Sequence, residues 1–154
     1  MAIELGTKIP DFKTVSTSKI AQCSELFEKP FVIFFYPKDN TKGCTVENND
    51  FKDRYNDFLE LGIEVIGVSK DSLKSHHNFI NKYDLPFPLI SDEDTEICQL
   101  FDVYKEKSMY GRKYMGIERS TFLVKKGGVL DKEWRNVKIP GHVDEVFNYA
   151  KSIA

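Results

Sequence analysis

The sequence predicts an α/β protein with a parallel pair of strands at the centre of its sheet. Three observations carry that reading. Residues 31–36, FVIFFY, are an unbroken apolar run of strand length, and the lack of alternation implies burial on both faces. Residues 63–69, IEVIGVS, form a second such run. The stretch between them has helical periodicity, so the order is strand, helix, strand, the βαβ pattern.

Composition sets the outer bounds. The chain has 154 residues, which suits one domain spanning 1–154 with a bulky core, and 12 Phe and 7 Tyr supply the bulk. With 41% hydrophobic and 30% charged residues it reads as globular rather than disordered. The net charge is −2, from 22 basic and 24 acidic residues, so neither nucleic acid nor an anionic membrane is an expected partner. The N-terminus, MAIELGTKIPDF, lacks a basic segment followed by an apolar one, and no apolar run approaches about 18 residues. A cytoplasmic protein without a cleaved signal is expected. Cysteines number three, Cys23, Cys44 and Cys98, an odd count that argues against a disulfide framework.

Taken in order, residues 3–12 are broken by Gly6 and Pro10 and suggest an edge strand or the start of a hairpin. Residues 13–20 alternate weakly, as a short strand would, and Ser24–Lys29 suggest a helical turn or loop. Pro37 stops the first buried strand. Thr41 is an N-cap candidate for a helix over about 43–60, whose apolar stripe is Phe51, Tyr55 and Phe58. Gly62 suits its C-terminal end. After the strand at 63–69, Asp71 and Ser72 can cap a helix over about 72–83 with Leu73, Ile80 and Tyr83 on its inner face. Leu85-Pro-Phe-Pro88 is extended by its prolines, a short strand is expected near 88–90, and a helix over 95–101 carries Cys98. Residues 104–118 read as a long loop. Ser120–Lys125, Gly127-Gly128 and Val129–Arg135 then form a hairpin, and a final helix after Gly141 presents Val143, Val146, Phe147, Ala150 and Ile153.

The chemistry converges on residues 37–44, PKDNTKGC. The segment joins a strand to a helix and puts Cys44 in the first helical turn. Free backbone N–H groups and the helix dipole favour negative charge there, and a thiolate is the nucleophilic form of cysteine. At roughly 100° per residue, Cys44 shares the face of Phe51, Tyr55 and Phe58, within about 60°, so it should be shielded from bulk water.

These residues resemble a known family. PKDNTKGC resembles the P-x-x-x-T/S-x-x-C signature of the peroxiredoxins, and RSTFLV from Arg119 resembles the strand that carries their active-site arginine. FFYPKDNTKGCTVEN, DSLKSHHNFINKY with LPFPLISD, and KYMGIERSTFLV are similar to the bacterioferritin-comigratory-protein or PrxQ branch, so the resemblance spans essentially the whole chain. It implies a thioredoxin-like fold, a central mixed β-sheet flanked by α-helices. It implies thiol-dependent reduction of hydrogen peroxide and organic hydroperoxides with no metal or organic cofactor. By this resemblance Cys44 is the peroxidatic cysteine, Thr41 offers a hydroxyl to the peroxide, Pro37 shields the site, and Arg119 stabilises the thiolate and the developing charge. Glu47 would orient Arg119. The expected partners are a hydroperoxide and a thiol reductant such as thioredoxin or glutaredoxin with glutathione, and the expected state is a monomer.

The chain departs from the two-cysteine members of that branch. Their resolving cysteine falls five residues after the peroxidatic one, here Asn49, or in the following helix, here aligned with Ile80. A one-cysteine mechanism with an external thiol is therefore expected. The alternatives are an unusual internal disulfide, with Cys98 or Cys23 as resolver, and a redox-sensing interaction protein on the same fold. A thioredoxin-type oxidoreductase is disfavoured because no C-x-x-C occurs.

Other residues invite plainer readings. Adjacent His76 and His77 point about 100° apart on a helix and do not make a metal-ligating pair. Asp92-Glu93-Asp94 suggests a solvated helix cap. Tyr36 reads as core packing, and loop 104–118 as a rim to the site.

Overall fold

The structure, a computed structural model, describes residues 3–154. Its sheet has five strands in the order β3-β2-β1-β6-β7: Leu89–Ser91 (β3), Glu64–Ser69 (β2), Phe31–Phe35 (β1), Ser120–Lys125 (β6) and Val129–Trp134 (β7). β1 pairs in parallel with β2, and β2 with β3, whereas β6 runs antiparallel to both β1 and β7. The sheet is therefore mixed, with helices on its two faces. Every β1 residue is buried, which is why its sequence is apolar without alternation.

That strand feeds two cores at once. Phe31, Ile33 and Phe35 point to one face, where Cys23, Leu26, Ile97, Cys98, Phe101 and Phe122 pack. Val32, Phe34 and Tyr36 point to the other, where they meet Cys44, Phe51 and Phe58 of α1 (Lys42–Glu60). α2 (Leu73–Tyr83) adds Phe79 to this second core, and α4 (His142–Ile153) adds Val143, Val146 and Ala150. The short α3 (Glu96–Leu100) belongs to the first core. Phe34 stacks on Phe51 at a centroid distance of 4.3 Å, fastening α1 to β1. Such a ring pair adds about 0.5–1.5 kcal/mol beyond its buried area. Gly67 makes room for this stack: a Cβ there would come within 2.9 Å of Phe34 and 2.7 Å of Leu89. Gly62, at φ 75°, follows α1 where a left-handed residue ends a helix without strain.

Several elements differ from expectation. Residues 104–118 are not a loop but a two-stranded antiparallel sheet, β4 (Tyr104–Met109) and β5 (Arg112–Ile117), turning at Tyr110 and Gly111, both at positive φ. Its residues are largely exposed, so the apolar alternation that marks a half-buried strand is missing. The stretches 3–12 and 13–20 form only isolated bridges, Lys8 with Val129, Lys13 with Gln22 and Ser16 with Ile90, with a 3-10 turn following at Cys23–Leu26. The most buried residues of α2 are His76 and Phe79; the expected Ile80 and Tyr83 pack beside them, and Leu73 is only partly covered. Asp92 is buried rather than solvated, and its carboxylate accepts from the backbone N–H groups of Ile97 and Cys98.

Candidate active site

Two elements deliver the site. β1 ends at Phe35 and the chain turns through Pro37–Thr41 into α1, with Asn40 at φ 62° tightening the turn. Thr41 is the backbone N-cap and Cys44 the third residue of the helix. The register Phe35↔Ser120 brings the start of antiparallel β6, and so Arg119, to the same end of the sheet. The C-terminal ends of parallel strands are where α/β sheets open a crevice.

There the Arg119 guanidinium bridges two groups of α1. Its Nη2 donates to Cys44 Sγ at 3.4 Å, and its Nη1 donates to Glu47 Oε1 at 2.6 Å. Cys44 is 1% exposed and Glu47 fully buried, so the guanidinium meets both where solvent screening is weak. Burial pushes the Glu47 carboxyl up to about 7, and the charge and hydrogen bond of Arg119 pull the other way. Among the described residues, Glu47 Oε2 has no hydrogen-bond partner. Beside this contact Gly43 leaves room for Ile139, since a Cβ there would lie 3.1 Å from Ile139 Cδ1, whereas Arg119 Nη2, at 3.5 Å, would be in ordinary contact.

The other expected residues stand around this pair. Pro37 is partly buried at the exit of β1. Thr41 is exposed, and its hydroxyl donates to Lys38 O at 2.9 Å rather than capping the helix, so the side-chain cap suggested by its position is not formed. Asn49 turns its amide back onto Thr45 O. His142, behind the site, hydrogen-bonds Thr121 Oγ1 at 2.7 Å. Burial, then the nearby Arg119 charge, pushes its pKa down to about 4.

The loop carries a second hub that went unseen in the sequence. Asp39 is buried and accepts from Tyr36 Oη at 2.6 Å, Ser75 Oγ at 2.8 Å and His76 Nδ1 at 2.7 Å. His76 Nε2 faces Ile90 O at 2.8 Å. The ring is thus held at both nitrogens, which fixes its orientation. Asp71 completes the hub by accepting from Asp39 N and Ser69 Oγ. Asp39, Asp71 and His76 present ligand-type atoms within 4.8 Å of one another, but those lone pairs already serve these hydrogen bonds. The cluster straps α2 to the loop that precedes Cys44. The clue was the acid in the middle of PKDNTKGC, with Ser75-His76 one helical turn after a capping serine.

The remaining thiols are distant by construction. Cys23 and Cys98 lie in the core on the opposite face of the sheet from Cys44. All three are free and buried. Burial pushes Cys23 up to about 12, and burial with Asp92 beside it raises Cys98 further. Of the three, Cys44 is the one with a guanidinium against its sulfur.

A helix-start thiol held under a guanidinium at the mouth of a mixed α/β sheet defines a thiol enzyme of the thioredoxin-like class. Residues 5–133 match the AhpC/TSA family. Peroxiredoxin Bcp of Bacillus subtilis is 44% identical over 155 aligned positions, covering 100% of this chain and 99% of that protein. Peroxiredoxin Q of Xanthomonas campestris superposes with a TM-score of 0.85 at 44% identity, covering 92% of this chain and 90% of that one. A PrxQ mutant from Xylella fastidiosa superposes at 0.92 with 38% identity, covering 99% and 98%. The chain belongs to the AhpC/TSA family and, within it, to the Bcp/PrxQ peroxiredoxins, thiol-dependent peroxidases of thioredoxin-like fold. None of the described helices is long and apolar enough to cross a membrane.

Proposed function

We propose that this protein reduces hydrogen peroxide and organic hydroperoxides by a one-cysteine cycle at Cys44. The observation that carries the reading is the contact of Arg119 Nη2 with Cys44 Sγ. In the first step the thiolate sulfur attacks one peroxide oxygen. An S–O bond forms, the O–O bond breaks, and the leaving hydroxide or alkoxide takes a proton from water. Charge spreads along the S–O–O axis, where a fixed guanidinium stabilises it without reorganisation. Thr41 Oγ1 donates to a carbonyl, so its lone pairs are free to accept from the peroxide O–H. Pro37 limits water at the sulfur, and Glu47 acts as a positioning residue that holds the second arm of Arg119.

The product is a sulfenic acid, which has to be reduced before further oxidation traps it. An external thiol attacks that sulfur, releases water and leaves a mixed disulfide. A second thiol then frees Cys44 as the external disulfide forms. The distribution of cysteines supports this over an internal bridge. A disulfide needs its two Cα atoms within about 7 Å, and a sheet lies between Cys44 and both other thiols. The reductant is a thiol such as thioredoxin, or glutaredoxin with glutathione. The Xanthomonas campestris bacterioferritin comigratory protein is described in terms of alkyl peroxide reduction, which favours organic hydroperoxides among the substrates here. The reading extends to one domain over 1–154, acting as a monomer in the cytoplasm, which sedimentation and fractionation would check.

The test is intact mass and peptide mapping of the reduced protein after one equivalent of hydrogen peroxide with a sulfenate trap. A trapped sulfenic acid on Cys44 with Cys23 and Cys98 still thiols is expected. Loss of two hydrogens would overturn the one-cysteine cycle, and an unreacted protein beside persisting peroxide would overturn the peroxidase reading itself.

A further inference from the structure

Thr41 is exposed, yet the direction of its hydroxyl is set from behind the loop. Its Oγ1 donates to Lys38 O at 2.9 Å. That carbonyl belongs to the peptide joining Lys38 to Asp39. A trans peptide is a rigid plane whose C=O and N–H point opposite ways, so neither turns without the other. The N–H of this plane donates to Asp71 Oδ2 at 2.8 Å, across 32 residues of sequence. One edge of the peptide thus meets Thr41 and the other is clamped by Asp71.

The clamp is itself fixed. The same Oδ2 accepts from Ser69 Oγ, and the Asp71 main chain is tied twice. Its N–H donates to Ser69 Oγ at 3.2 Å, and its carbonyl accepts from Ser91 Oγ at 2.6 Å. Ser69 ends β2 and Ser91 ends β3, and both are buried. The peptide is therefore referenced to the sheet. On the loop side, the Asp39 carboxylate is held by Tyr36, Ser75 and His76, which keeps that residue from swinging as a whole.

Among the described residues, the Asp71 side chain bonds Asp39 and Ser69 and reaches neither Cys44 nor Arg119. What it governs is a rotor. A threonine hydroxyl has one proton and two lone pairs and turns to suit its neighbours. With the proton spent on a fixed carbonyl, the lone pairs are what it offers to an incoming O–H. A peptide free to flip would release the proton, and that preference would be lost.

We propose that Asp71 is a positioning residue for the peroxide step, which aims the Thr41 hydroxyl by clamping the Lys38–Asp39 peptide. This rests on the reading above, in which the peroxide O–H donates to Thr41. It adds the device that sets the direction of that acceptor, and places it on the connection between β2 and α2.

The experiment compares two reactions at Cys44. One is the single-turnover rate with hydrogen peroxide. The other is alkylation by iodoacetamide, in which the thiolate displaces iodide, an S–C bond forms and no hydroxyl acceptor is needed. Peptide mapping assigns the alkylated site. The ratio of the two rates cancels changes in thiolate population and in access to the sulfur. Misplacing a reacting group by about 1 Å can cost on the order of a hundredfold in rate, so Asp71→Ala should lower the ratio at least about fivefold. Asp71→Asn keeps an oxygen for the Asp39 N–H and should restore most of it. In a Thr41→Val background, where the hydroxyl is gone, adding Asp71→Ala should change the ratio little, because the two residues act as one unit.

An unchanged ratio in Asp71→Ala overturns the proposal. An equal fall in the Thr41→Val background overturns it too, because Asp71 would then act through something else. A fall shared in full by Asp71→Asn assigns the effect to charge and has the same consequence. If Asp71→Ala does not fold, Ser69→Ala frees one side of the same carboxylate and is read in the same way. A wild type that consumes no peroxide overturns the peroxidase reading and this inference with it, whereas an active wild type with an unmoved ratio overturns this inference alone.

Discussion

Arg119 Nη2 lies 3.4 Å from Cys44 Sγ across 75 residues of sequence. The contact exists because β6 pairs antiparallel with β1 in the register Phe35↔Ser120, so a strand start and a helix start meet at one end of the sheet. Charge stabilisation at the sulfur is thus a property of the sheet register.

Removing that guanidinium should therefore slow the peroxide step. Arg119→Ala is expected to lower the second-order rate with hydrogen peroxide at least about tenfold, equivalent to about 1.4 kcal/mol of transition-state stabilisation. Stopped-flow peroxide consumption measures it. An unchanged rate would remove Arg119 from the chemistry.

The three thiols should separate by function. Cys44→Ser is expected to abolish peroxide consumption. Cys98→Ala and Cys23→Ala should leave the first oxidation step intact, because both sulfurs sit in the opposite core. Full activity in Cys44→Ser would refute the assignment.

Glu47 and His142 predict opposing pH effects on stability. The Glu47 carboxyl rises from 4.5 to about 7 on folding, so the native state keeps a proton that the unfolded chain has released. Stability from this group falls as pH rises from about 4.5 to about 7. His142 falls from 6.5 to about 4, so the unfolded ring is the one that binds the extra proton. Its contribution is lost as pH drops from about 6.5 to about 4. Denaturant titrations over this window should show a slope that becomes more positive in Glu47→Gln and more negative in His142→Gln. Each change is bounded by about 1.4 kcal/mol per pH unit. Slopes that move together would contradict the assignment.

His76 and His77 are adjacent in sequence but should behave as opposites. His76→Ala removes one hydrogen-bond partner of buried Asp39 and frees Ile90 O, and should destabilise the fold by about 1–3 kcal/mol. His77→Ala, on the exposed side of α2, should stay within about 0.5 kcal/mol. Equilibrium unfolding of the two variants decides between a strap and a bystander.

How much of this could be read from the chain follows from the physics of each element. β1, β2 and α1 were legible because burial on two faces, or on one stripe, leaves an apolar pattern at a fixed period. Cys44, Pro37 and Thr41 could be singled out as candidates because they share one short segment, and Arg119 because its strand is distinctive. The β4–β5 hairpin was hidden, since strands exposed on both sides need no alternation, and Tyr110, 99% exposed, looks like any loop residue. The Asp39–His76 hub was hidden for another reason. It joins a loop to a helix 37 residues away, and a polar pair buried at that separation leaves no periodic trace. Asp92 misled in the same way, because a helix cap has the same composition whether or not water reaches it.

The register that joins Phe35 to Ser120 also orders events in the life of the chain. During synthesis Cys44 emerges long before Arg119, and contacts of such long range close late in folding. Until β6 docks, the sulfur has no guanidinium beside it. On the function proposed above, sensitivity to oxidants therefore arrives only as the sheet closes. The rate of Cys44 oxidation during refolding should accordingly lag the recovery of helical signal.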